Sequence, residues 1–100
     1  MLADMIRAFC NEPDNDYEVC ENYSGRTMLG ETVITLGIIV KQDRNIFDVL
    51  DQLGSYLEAK GFNDPSNPMM EEFEGTATDL IGSDTIVYFP GIRDYQPPQP

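Results

Sequence analysis

One stretch constrains the fold of this chain more than any other: Thr32-Val33-Ile34-Thr35-Leu36-Gly37-Ile38-Ile39-Val40. Its β-branched residues are stiff at χ1 and favour the extended backbone, where they pack on a pleated surface. Alternation puts Ile34, Leu36, Ile38 and Val40 on one face and the less apolar set Val33, Thr35, Gly37 and Ile39 on the other. The run predicts a central strand. Its internal glycine predicts a bulge or the close approach of a helix. It is also the longest apolar run in the chain, and it is strand-sized rather than long enough to span a bilayer.

The flanking segments supply the partners that such a strand needs. Leu2, Met5, Ile6 and Phe9 recur at the spacing of one helix face, and Pro13 forbids continuation. Tyr17 to Tyr23 alternates as an exposed strand, with Ser24-Gly25-Arg26 read as a turn and Gly30 as a second. Asn45 caps a second helix, with Asp48 in its first turn and Ile46, Phe47, Leu50, Leu53, Tyr56 and Leu57 as its buried stripe; Lys60-Gly61 closes it. Residues 63–68 read as a loop, and Met69 to Phe73 fits either a short helix or an extended piece. Thr85 to Phe89 is a final strand closed by Pro90-Gly91. The predicted class is α+β: a small two-layer sandwich, an about three-stranded sheet with two helices on one face. Residues 1–94 form one domain, and 95–100 a Pro-rich mobile tail.

Charge narrows the function. Eighteen Asp and Glu oppose six Lys and Arg in 100 residues, with no histidine, for a net charge of −12. A field of that sign repels nucleic acid and membrane surfaces and steers the molecule toward basic partners. Hydrophobic residues at 41% still allow a modest core, so the charge does not imply disorder. The N-terminal segment has a charge inside its apolar stretch and no small-residue cleavage site, which predicts a cytoplasmic protein rather than a secreted one. Cys10 and Cys20 lack a C-x-x-C spacing and read as free thiols.

Three chemical motifs fail on inspection. Gly25-Arg26-Thr27-Met28-Leu29-Gly30-Glu31-Thr32 approaches the phosphate-cradling pattern G-x-x-x-x-G-K-[ST], but Glu31 stands where the lysine would meet the phosphates. A strand follows, not a helix N-terminus. Asp14, Asp16, Glu18 and Glu21 suggest calcium, yet the sixth and twelfth positions counted from Asp14 are Val19 and Gly25, not the required glycine and glutamate. Ser24 and both cysteines have no histidine to activate them. The expectation is a protein that is not an enzyme and that uses no metal or cofactor.

What remains is the acidic distribution. Glu12, Asp14, Asp16 and Glu18 recur every second residue; an extended backbone would space them ~7 Å apart, close to twice the axial rise per phosphate on one DNA strand, ~6.8 Å. Glu21 adds to this group, and Glu71, Glu72 and Glu74 form a second. Two segments, Tyr23 to Gly30 and Asp84 to Ile92, resemble stretches of small proteins encoded by bacterial phages and integrative elements. That resemblance implies a mobile-element origin and a bacterial host cell, the setting of many acidic anti-CRISPR proteins. The resulting expectation is a non-enzymatic inhibitor whose carboxylates occupy the DNA or RNA site of a basic effector, with Tyr17, Tyr23 and Phe73 as anchors. The alternative is an adaptor that binds a protein through an apolar patch at Met69, Met70 and Phe73, or through the sheet edge.

Overall fold

The structure, a computed structural model, describes residues 2–15, 17–61, 69–93 and 95–98, and of residues 69 and 70 the backbone alone. The element order is α1 (Leu2–Cys10), β1 (Glu18–Arg26), β2 (Thr32–Val40), α2 (Ile46–Ala59), α3 (Met69–Glu74), β3 (Ala77–Ile81) and β4 (Asp84–Tyr88). The strands form one antiparallel sheet in the order β1-β2-β4-β3. The fold is α+β as expected, with β2 central and flanked by β1 and β4.

The sheet has four strands rather than three, and β1 is longer than expected. Ser24-Gly25-Arg26 is strand, not turn: Ser24, Gly25 and Arg26 pair with Ile34, Val33 and Thr32. β3 is an addition that periodicity did not reveal, because its residues alternate poorly and its ladder to β4 defines it. Met69–Glu74 resolves as helix.

One face of the sheet is covered. Leu36, Ile38 and Val40 of β2, with Val87 and Phe89 of the β4 segment, share a core with Leu2, Ile6 and Phe9 of α1 and Val49, Leu53 and Leu57 of α2. The α1 stripe is the one its spacing predicts. In α2 the stripe is rotated: Val49 is buried and Phe47 exposed, since positions 46, 49, 50, 53, 56 and 57 share a face at 100° per residue and 47 does not. The Asn45 side chain accepts from the Phe47 N–H at 2.7 Å, as an N-cap should.

The other face carries no helix among the described residues, yet Ile86 and Thr35 are 0% and 1% exposed there. Glycine is the device. A Cβ at Gly37 would lie 2.7 Å from the Ile86 side chain, and one at Gly25 would lie 2.6 Å from the Tyr88 ring. The missing side chains let Ile86 and Tyr88 lie flat across their neighbouring strands, with Tyr23 beside Tyr88 at 5.1 Å between ring centres. Gly37 thus admits a neighbouring strand's side chain rather than a helix, and the expected bulge lies beside it, in β1, where the register shifts between Cys20, the partner of Gly37, and Tyr23.

Candidate protein-binding surface

The structure divides the acidic residues into those used internally and those left to solvent. Glu21 belongs to the first group. Arg7 of α1 donates from Nε and Nη2 to its carboxylate at 2.8 and 3.1 Å, and the Tyr95 hydroxyl donates to it at 2.6 Å. The Arg7 hydrogen bonds hold the Glu21 carboxyl below the usual glutamate range against the opposing effect of burial. Arg7 also binds Asp4 and the Gln96 carbonyl, and the Asn22 N–H donates to the Tyr95 hydroxyl. That last bond falls where the β1 register slips between Cys20 and Tyr23 and Asn22 takes a φ of 55°. Tyr95 therefore pins the chain after β4 onto the edge strand.

Glu71 and Glu72 are likewise engaged, the first in an ion pair with Arg93 at 3.0 Å and the second accepting the Arg93 N–H at 2.7 Å. Glu74 is exposed. Phe73 stacks on Phe89 at 6.3 Å between centres, so its area serves the core. Tyr17 stacks on Phe9, lies under the Arg44 guanidinium and donates to Gln52 Oε1 at 2.7 Å. Tyr23 lies in the glycine-lined layer and donates to Asp79.

Glu12 and Asp14 are exposed but do not form an extended ladder. The Asn15 N–H bonds back to the Glu12 carbonyl at 3.0 Å, and its side chain caps the Phe9 carbonyl at 2.8 Å. These bonds close a turn at the end of α1, and the phosphate-like spacing is lost at Glu12 and Asp14. Glu18 is exposed at the start of β1, and Asp16 lies outside the described residues. What the turn does instead is abut α2. Asn15 borders a shallow cleft with Asp51, Gln52, Ser55 and Tyr56, and Gln52 also borders a second cleft with Tyr17, Asp43, Arg44 and Asp48. Asp43, Asp48 and Asp51 thereby form an acidic strip along two clefts that share Gln52, and Asn15 brings the turn that carries Glu12 and Asp14 to its rim.

The cations do little to neutralise that strip. Arg7, Lys41 and Arg93 are in ion pairs, and Arg44 and Lys60 lie over the Tyr17 and Tyr56 rings. Among the described residues Arg44 is the one cation that lines either cleft.

Both cysteines are free. Burial pushes the Cys10 thiol up to about 12, far from a nucleophilic state at neutral pH. Among the described residues no group of three or more Cys, Asp or Glu is placed to hold a metal ion, and no helix is long and apolar enough to cross a membrane. No protein family, curated protein or solved structure matches the chain.

One exposed apolar feature lies apart from these acidic clusters. The turn from Thr27 to Glu31 exposes Met28 and Leu29 almost completely, at 94% and 88%. Two adjacent large apolar residues where turns usually carry Asn, Asp, Gly or Ser were the available signal.

Proposed function

We propose that the protein is a non-catalytic inhibitor that binds a basic nucleic-acid-handling protein, as anti-CRISPR proteins do, through the acidic strip of the α1–β1 turn and α2. The observation that carries this reading is the line of Asp43, Asp48 and Asp51 along two clefts that share Gln52, with Asn15 of the acidic α1–β1 turn on the rim and most cations engaged elsewhere. Lysines and arginines that ordinarily hold phosphate would pair with these carboxylates. Such contacts accelerate association and weaken with salt. Glu21, Glu71 and Glu72 are left out of the contact surface because Arg7 and Arg93 already engage them.

The test is an affinity pulldown from bacterial lysate at low and high salt. The reading expects nucleic-acid-binding proteins that elute with salt, are displaced by added DNA, and disappear when Asp14, Asp48 and Asp51 are changed together to Lys. Undiminished recovery by that triple variant overturns it, as does a salt-resistant partner unrelated to nucleic acid. A second reading, an adaptor with an apolar contact, draws support from the exposed Met28 and Leu29 rather than from Phe73.

A further inference from the structure

Two apolar features stand open among the described residues. The first is a knob. β4 pairs with β2 only from Gly37 to Val40, so Ser24–Arg26 and Thr32–Ile34 continue beyond it as a two-stranded ribbon. The turn at its end is well ordered: the Thr27 N–H bonds the Glu31 carbonyl at 2.9 Å, the Gly30 N–H bonds the Thr27 carbonyl at 2.9 Å, and the Glu31 N–H bonds Thr27 Oγ1 at 3.2 Å. Gly30 takes the φ of 84° that the turn requires. Where the ribbon meets the turn, the Tyr88 hydroxyl donates to the Arg26 carbonyl. Met28 and Leu29 are thus held outward on a braced arm, so little order is lost when they are buried.

The second feature is a groove of about 360 Å³ in the helical layer, floored by Met5, Ala8 and Tyr56 and flanked by Asp4 and Lys60. The Lys60 ammonium sits 5.4 Å from the Tyr56 ring centre. The charges around the two features are complementary: Arg26 and Glu31 flank the knob, and Asp4 and Lys60 flank the groove.

We propose that the protein associates head to tail, with the Met28–Leu29 knob of one copy seated in the α1–α2 groove of the next, Glu31 facing Lys60 and Arg26 facing Asp4. The contact is heterologous, since the two surfaces differ, and it builds a ring or a filament according to whether the rotation closes. It is small, so it is weak at low concentration. A charge of −12 on every copy opposes it, and added salt strengthens it by screening that repulsion. Salt weakens the binding of a basic partner through the acidic strip, so the two proposals stand or fall separately.

Sedimentation velocity over a range of protein concentrations, at low and high salt, is the test. The wild type is expected to sediment faster than a single chain, the more so at high concentration and high salt. Leu29→Asp removes the knob and Ala8→Arg fills the groove. Both sites are exposed, so circular dichroism should be unchanged, while association weakens on the order of a hundredfold. An equimolar mixture of the two variants retains one intact knob and one intact groove, and it forms a two-chain species and nothing larger. A second pair, Glu31→Lys and Lys60→Glu, should each weaken association alone and restore it when combined in one chain. The proposal is overturned by a wild type that stays a single chain under all conditions, by a knob or groove variant that still assembles, or by a mixture that fails to pair.

Discussion

The two faces of the sheet bury their central residues by opposite means. On the covered face Leu36, Ile38, Val40, Val87 and Phe89 are shielded by a layer of helices, and each large side chain has partners above it. On the open face Ile86 and Tyr88 are shielded by what is missing: Gly37 and Gly25 supply no side chain, so the larger groups of β4 lie down in the space. One face is built by adding a layer and the other by deleting atoms. The middle of a strand rich in alternating apolar residues is therefore buried on both sides with one helical layer among the described residues.

The largest contrast between the faces should appear in thiol chemistry. Cys10 sits in the helix-covered core and Cys20 stands half-buried on the open face, opposite Gly37. Burial raises both thiols, but Cys10 reaches about 12 and requires the core to open before a reagent arrives. Maleimide labelling followed by mass spectrometry should modify Cys20 first, with Cys10 slower by on the order of a thousandfold or more, the scale set by opening of the folded state. Comparable rates would show that the helical layer does not seal its face.

The next effect tests whether glycine is the shield on the open face. Gly37→Ala drives a methyl group into the Ile86 side chain and the Val87 carbonyl, at 2.7 and 2.9 Å. Overpacking of this kind should lower stability by ~1–3 kcal/mol, read from urea unfolding. In an Ile86→Ala background Gly37→Ala should cost less than it does in the wild type, since the side chain in the way is gone although the carbonyl remains. Two substitutions whose effects simply add would sever the link between Gly37 and Ile86.

The smallest effect lies at the polar seam where α1, the β1 edge and the chain after β4 meet. The folded Glu21 carboxyl lies below its ordinary value because Arg7 binds its charged form, so it stabilises the fold above the usual glutamate range. That contribution is lost as pH falls through the lowered folded value. Glu21→Gln should cost about 1 kcal/mol at neutral pH and should flatten the acid limb of a stability profile. An acid limb of the same steepness in the variant would assign it to other carboxylates.

These contrasts also show where the fold could be read in advance. β2, the α1 stripe and the Asn45 cap were legible because each is a local pattern whose period or hydrogen bond involves residues close in sequence. β3 was not, since an edge strand with exposed Thr78, Asp79 and Leu80 has no burial period to display and exists by virtue of its ladder to β4. Gly25 read as a turn for the same reason: the Tyr88 ring that justifies a glycine within a strand is 63 positions away. The candidate surface was legible in composition and not in membership. Glu21 and Glu12 look equivalent in the sequence, yet Arg7 and Tyr95 engage one and water surrounds the other.

The sequence by itself determined the α+β class, the central strand with its two unequal faces, the first and second helices and a net charge of −12, because these follow from local backbone preference and simple counting. Tertiary structure alone decided which carboxylates Arg7 and Arg93 engage, how Asp43, Asp48 and Asp51 come to line two clefts that share Gln52, and that Met28 and Leu29 stand on a braced ribbon while Met5, Ala8 and Tyr56 floor a groove. Those outcomes depend on pairings between residues far apart in the chain, and a hydrogen bond or a packed ring across such a distance leaves no periodic trace in the sequence.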